Sequence, residues 1–203
     1  GSGKTLAYLL PLVARLFEEE PSARPDRTFA LIVTPTRELT QQVTSVLQTL
    51  TGEVMPAVLI GGVPIRSQRE ALQNDARIVV GTPGRILDCL RQRVVSFRHC
   101  RVCVLDEVDE MFSMGFFEDV RAILSRLPSE RQGLFCSATI SPRVTMLAQS
   151  FLANPETVFV DTQGRDLPPI EHLVYRVGGG VTDKPTALCD IIETRRPRSA
   201  IIF

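Results

Sequence analysis

The sequence predicts an α/β fold in which a parallel β-sheet is flanked by helices. Two observations carry that prediction. Short, wholly apolar runs recur along the chain, and stretches with helical spacing separate them. Strands that are apolar on both faces belong to a sheet covered on both sides, and their alternation with amphipathic helices makes the sheet parallel. A third observation concerns position. Polar clusters follow directly on the apolar runs, at the carboxyl ends of the predicted strands, which is the edge where open parallel sheets bind ligands.

The elements follow in order. The chain opens on Gly1-Ser2-Gly3-Lys4-Thr5 and a helical stretch to about residue 19, in which Pro11 is expected to introduce a kink. A further strand is expected ahead of that loop. Residues 20–27 are rich in Pro and charge and read as a loop. Runs of strand length lie at Ala30–Val33, 57–60, 78–80, Val102–Leu105, 134–136 and 157–160. Helical spacing joins Leu39, Val43, Val46, Leu47 and Leu50, then Ile86, Leu87 and Leu90, then Val120, Ile123, Leu124 and Leu127. Thr36, Thr82 and Ser141 suit helix N-caps, and Pro83 and Pro142 suit the first helical position. Residues 161–169, with Gly164 and Pro168-Pro169, read as a linker. That divides the chain into a domain over 1–160 and the beginning of a second over 170–203. In the second part, 170–177 reads as a strand, 186–192 as a helix and 200–203 as the start of another strand.

The 203 residues suffice for one domain with a full core and part of another. With 44% hydrophobic and 23% charged residues the composition is that of a globular protein, and no run is long enough to cross a membrane. Net charge is zero, which argues against binding nucleic acid through a basic tail. Five irregularly spaced Cys suggest reduced thiols in an intracellular protein, assigned to the cytoplasm with nucleus and organelle left open. Cys100 and Cys103 form a C-x-x-C without a second ligand pair, so both read as core residues rather than zinc ligands.

The chemistry lies in the polar clusters. Gly1-Ser2-Gly3-Lys4-Thr5 followed by a helix is the end of a phosphate-binding loop. Glycine lets the backbone wrap phosphate oxygens, Lys4 reaches the β and γ phosphates, and the Thr5 hydroxyl serves Mg²⁺. Asp106-Glu107 closes an apolar run, where two acids are costly unless paired or bound to metal. Beside a phosphate loop, Asp106 holds the Mg²⁺ shell and Glu107 orients or deprotonates the attacking water. Catalysis is therefore expected from Lys4, Asp106 and Glu107 on a bound nucleoside triphosphate with Mg²⁺; that the nucleotide is ATP is what a family resemblance implies. The other clusters are Thr34-Pro35-Thr36-Arg37-Glu38, Gly81-Thr82-Pro83-Gly84-Arg85 and Ser137-Ala138-Thr139. Helix N-termini at such junctions favour phosphate.

The ordered set resembles the motifs of DEAD-box RNA helicases: the opening loop, Pro35-Thr36-Arg37-Glu38-Leu39, Gly61-Gly62, Thr82-Pro83-Gly84-Arg85, Asp106-Glu107-Val108-Asp109 and Ser137-Ala138-Thr139. Met114-Gly115-Phe116 and Ala200-Ile201-Ile202-Phe203 also look like that family. The resemblance implies two RecA-like domains that close over ATP and single-stranded RNA, with the second only begun here. It implies an RNA backbone path along Pro35, Thr36, Arg37, Gly62, Thr82, Gly84 and Arg85, with little sequence specificity. It implies that Ser137 and Thr139 couple nucleotide state to strand separation through Asp109. Val108 stands where the family has Ala, and Thr40 where Ala is usual.

By the same resemblance an adenine-reading segment lies upstream and an arginine finger downstream, so the segment alone is expected to be inactive or nearly so. Two other readings stay open: an ATP-gated RNA clamp with little unwinding, and a DNA helicase or translocase of the wider superfamily. Protein cofactors are not legible, and a membrane is not expected as a partner.

Overall fold

A computed structural model of the chain describes residues 3–18, 28–52, 54–74, 76–160, 171, 173–180 and 182–202. It divides into two compact units, Gly1–Thr157 and Val158–Phe203. Gly1, Ser2, the loop at 20–27 and the linker at 161–169 lie outside the described residues.

The first unit is built on five parallel strands: β1 (Ala30–Val33), β2 (Ala57–Leu59), β3 (Ile78–Gly81), β4 (Val102–Leu105) and β5 (Gln132–Phe135), in the order β2-β3-β1-β4-β5. Successive side chains on a strand point to opposite faces, and the core divides accordingly. Ala30, Ile32, Ile78, Val80, Val102 and Val104 pack with Tyr8, Leu9, Leu12, Val13 and Leu16 of α1 (Lys4–Glu18) and with Val43 and Leu47 of α2 (Arg37–Thr51). Leu31, Val33, Val79, Cys103 and Leu105 pack on the other face. Their partners come from α3 (Ile65–Gln73), α4 (Pro83–Arg91), α5 (Val108–Ser113), α6 (Phe117–Leu124) and α7 (Pro142–Phe151). Both faces are covered, which is why β1, β3 and β4 are buried at every position.

Helix starts follow local chemistry. Thr36 caps α2 by accepting from the Leu39 N–H at 3.1 Å, and Ser141 caps α7 by accepting from Val144 at 3.4 Å. Thr82 occupies the cap position of α4 without a side-chain bond; Pro83 opens the helix behind it. Helix α1 continues through Pro11 to Glu18.

Three predicted strands are not found among the described residues. Residues 157–160 form no strand, and Val158, Phe159 and Val160 are exposed. The described parts of 170–177 and 200–203 are also non-strand. A strand needs a partner to satisfy its backbone, and an apolar run alone provides none. The second unit does contain the predicted helix, longer than expected, as α8 (Asp183–Arg195). The Asp183 carboxylate accepts from the Gly180 N–H at 2.9 Å.

Candidate functional site

Backbone pairing continues one residue past the strand ends. The Thr34 N–H donates to Gly81 O (3.0 Å), Thr82 to Leu59 O (2.9 Å), Asp106 to Val33 O (2.9 Å) and Cys136 to Leu105 O (2.8 Å). The polar clusters read from the sequence are thereby brought into register along one edge. The chain leaves β1 toward β2 and leaves β4 toward β5, so the connections diverge between these adjacent strands. That is where open parallel sheets form a ligand crevice.

At the β4 end the acids are held in place. Asp106 is only 3% exposed. Its Oδ2 accepts from the Tyr8 hydroxyl at 2.8 Å, and its Oδ1 accepts from the Glu107 N–H at 3.1 Å. Glu107, in contrast, is exposed. Its backbone is left-handed, with φ 53° and ψ 55°, a conformation that costs a residue with a Cβ about 1–3 kcal/mol. The turn swings the chain from β4 into α5, and the Val108 N–H closes it on Cys136 O at 3.0 Å. Partial burial pushes the Glu107 carboxyl above its usual range. The neighbouring Asp106 charge adds to that, and Lys4 opposes it.

Lys4 is the first residue of α1, and its charge also acts on the Cys136 thiol, which burial raises to about 11. Thr5 follows Lys4 on α1, three residues before Tyr8, whose phenol pKa is raised by burial and by the Asp106 charge. The Tyr8–Asp106 bond thus joins the helix that opens with Lys4 and Thr5 to the turn that carries Glu107, and the Lys4 charge is felt at Glu107 and Cys136. Gly3 ahead of them has φ +77°, the left-handed conformation that glycine adopts without strain. Among the described residues no group of three or more His, Cys, Asp or Glu could hold a metal ion. The oxygens of Thr5 and Asp106 are nonetheless the hard donor pair that suits Mg²⁺, which usually keeps waters and takes phosphate oxygens from its substrate.

Two residues beyond Glu107, at the second position of α5, Asp109 meets the β5 loop. Its Oδ2 accepts from the Thr139 N–H at 2.9 Å and the Thr139 hydroxyl at 2.8 Å. Ser137 Oγ donates to Thr139 O at 2.7 Å and lies close enough to favour ionised Asp109. Burial pushes this carboxyl up, but the two hydrogen bonds from Thr139, with the Ser137 hydroxyl nearby, outweigh it and hold the pKa below the usual range.

At the β1–β3 end a different set surrounds the loop after β2. The Arg37 guanidinium lies against Gly61 and Gly62. A Cβ on Gly62 would come within 2.6 Å of Arg37 Nη1, which the flexible Arg37 side chain could relieve by moving, but the φ of +80° favours glycine whatever the space. Arg85 Nη1 donates to Val63 O at 2.6 Å. Gln68, 3% exposed, donates through Nε2 to Ile60 O at 2.8 Å. Beneath Thr36, the hydroxyls of Thr34 and Thr40 lie 2.6 Å apart, and Thr40 donates to Thr36 O at 2.8 Å. Thr36, Thr82, Gly84 and Arg85 are half-buried, and Arg37 and Gly62 are exposed. Pro35 is buried and shapes the loop from within.

Sequence reasoning missed Tyr8, Gln68 and Cys136. A tyrosine one helical turn after Lys4 was the available signal for the first. Gln68 sits on α3, a helix that gave no apolar stripe. Cys100 and Cys103 are buried in the core, and the Cys100 thiol, raised by burial to about 11, donates to Val102 O.

The DEAD/DEAH box helicase family matches residues 1–147. The RNA helicase CrhR of a Synechocystis species is 40% identical over the whole of this chain and 40% of its own length. The DEAD-box ATP-dependent RNA helicase CshA of Bacillus licheniformis is 36% identical, over the whole chain and 41% of its own length. Among solved structures, the RNA-helicase Prp28 from Chaetomium thermophilum bound to ADP superimposes with a TM-score of 0.67 at 38% identity, over 75% of this chain and 37% of that one. A DEAD box protein from the hyperthermophile Methanococcus jannaschii gives 0.66 at 36% identity, over 75% and 40%. The chain spans about two fifths of the length of the curated relatives it matches. Its helix-covered parallel sheet is the RecA-like arrangement of these neighbours.

Proposed function

The chain belongs to the DEAD/DEAH box helicase family, and from that premise we propose that it supplies the ATP-binding half of an ATP-dependent RNA helicase. In this reading residues 1–160 are the first RecA-like domain, 161–169 the linker and 170–203 the opening of the second. The observation that carries the reading is the buried Asp106 carboxylate, tied by Tyr8 to the helix that begins at Lys4, with Glu107 beside it.

Gly1, Ser2 and Gly3 present backbone N–H groups to the phosphates, and Lys4 neutralises the β and γ oxygens. Thr5 and Asp106 would hold Mg²⁺, which when bound offsets charge on the triphosphate. Glu107 accepts a proton from, or orients, the attacking water. Its raised pKa brings it nearer the working pH, which suits a general base. Most of the barrier reduction is positioning and electrostatics rather than covalent chemistry.

RNA lies across the other end of the edge. Arg37 and Arg85 offer cationic donors, and the amino ends of α2 and α4, at Thr36 and Thr82–Gly84, face the phosphates. Gly62 gives close backbone approach, and Pro35 sets the loop. Asp109, Ser137 and Thr139 couple the two ends, because Asp109 lies two residues from Glu107 at the start of α5 and grips the loop after β5. Among the described residues no helix is long and apolar enough to cross a membrane. We place the protein in the cytoplasm, on the strength of the bacterial relatives.

The test is ATP hydrolysis by the full-length protein with RNA, with DNA and with neither. RNA-specific stimulation that Lys4→Ala abolishes is the expected result. Equal stimulation by DNA would favour a DNA translocase, and RNA retention without strand separation a clamp.

A further inference from the structure

We propose that Tyr8 is a positioning residue that presets the magnesium shell by tying the Asp106 carboxylate to the helix that carries Thr5. The inference rests on the ATP–Mg²⁺ reading above and deepens it. Tyr8 lies three residues after Thr5 on α1, so the two share a helix face. Its ring is 2% exposed and packs in the apolar cluster between α1, α2 and the sheet. A phenol buried in such a cluster needs a hydrogen-bond partner. The partner here, at 2.8 Å, is a carboxylate 98 positions away in the sequence. Through that bond the acidic motif is tied to the helix that carries Thr5.

The geometry distinguishes positioning from space filling. Asp106 accepts one bond on each oxygen, from Tyr8 on Oδ2 and from its neighbour's N–H on Oδ1. Two anchors fix the plane of the carboxylate, and lone pairs remain for a cation or its waters. Phenylalanine would fill the same cavity, but Asp106 would then be held at one oxygen alone. Partners behind a metal's own ligands orient those ligands, and their loss typically lowers metal affinity by roughly tenfold or more.

The experiment is binding of a fluorescent ADP analogue to the full-length protein across a Mg²⁺ series, beginning in EDTA, with melting temperature measured in parallel. In Tyr8→Phe, metal-free affinity is expected to stay within about twofold of wild type. The Mg²⁺ concentration for half-maximal tightening is expected to rise roughly tenfold. Leu9→Ala, a truncation in the same cluster, is expected to lower the melting temperature without moving the Mg²⁺ midpoint. A Tyr8→Phe midpoint within about twofold of wild type overturns the proposal. So does an equal shift in Leu9→Ala, which would mean general loosening of the helix. If the unmutated protein binds ADP with no response to Mg²⁺, the parent reading fails and this one falls with it; a normal wild-type response with an unmoved Tyr8→Phe midpoint removes Tyr8 alone.

Discussion

At the β4–β5 end of the carboxyl edge, polar side chains are tied to one another: Tyr8 to Asp106, and Thr139 to Asp109. At the β1–β3 end they are tied mostly to backbone: Arg85 to Val63 O, Gln68 to Ile60 O and Thr40 to Thr36 O. The difference matches the tasks proposed for the two ends. Chemistry on a triphosphate needs particular carboxylates in fixed orientations, because misplacing a charge is costly in a site built on electrostatics. Holding an RNA backbone needs a loop of fixed shape and a few exposed cations. Substitutions at the first end should act on turnover, and those at the second on affinity.

The largest effect should test that division directly. Glu107→Gln keeps shape and removes the base, so ATP hydrolysis by the full-length protein is expected to fall by about 10²- to 10⁴-fold. ADP binding and RNA affinity should change little. A comparable loss of RNA affinity would show that the two ends are not separable. Next in size is Arg37→Ala, expected to weaken RNA binding about tenfold through loss of a charge-assisted contact. It should also reduce the slope of log affinity against log salt by about 0.7, the share of one phosphate on a single strand. An unchanged salt slope would remove Arg37 from the RNA path.

A smaller effect comes from the loop that Arg37 touches. Gly62→Ala forces a Cβ into a left-handed conformation, costing about 1 kcal/mol of stability, and displaces the Arg37 guanidinium. If the glycine matters through Arg37, RNA affinity of the double variant Arg37→Ala/Gly62→Ala should be no lower than that of Arg37→Ala alone. Additive losses would mean that Gly62 meets the RNA independently.

The two ends also differed in how far the sequence revealed them. Residues 30–33 and 102–105 were readable as strands because every position is apolar and every position is buried. The polar clusters were readable because they follow those runs directly. Residues 157–160 look the same in composition but find no partner strand, and pairing is a property of the whole chain. Helix α3 escaped notice because among its residues only Gln68 and Leu72 are buried, and an amide does not register as part of an apolar stripe. The Tyr8–Asp106 bond spans 98 positions, and a buried phenol in a helix reads as plain core. Nor does composition reveal the left-handed backbone of Glu107, since a glutamate gives no hint of positive φ.

The smallest expected effect concerns Asp109, and it asks whether the acidic end is stabilised by the same bonds that organise it. The folded carboxyl lies below its ordinary 3.8, because the two bonds from Thr139, with the Ser137 hydroxyl nearby, favour the ionised form by more than burial opposes it. A carboxyl whose folded pKa is depressed contributes stability that is complete above the unfolded value and is lost as pH falls through the folded one. The melting-temperature gap between wild type and Asp109→Asn should therefore be constant above about pH 5 and close below about pH 4. Because the group is only half-buried and still screened by solvent, the contribution should stay under about 1 kcal/mol. Thr139→Val removes the hydroxyl donor but keeps the backbone N–H bond, so it should retain part of the pH-dependent gap. If Thr139→Val instead abolished the gap, the hydroxyl alone would be responsible. If Asp109→Asn melted like wild type at neutral pH, the grip on the β5 loop would add nothing to stability, and its effect would have to be sought in coupling between hydrolysis and strand separation.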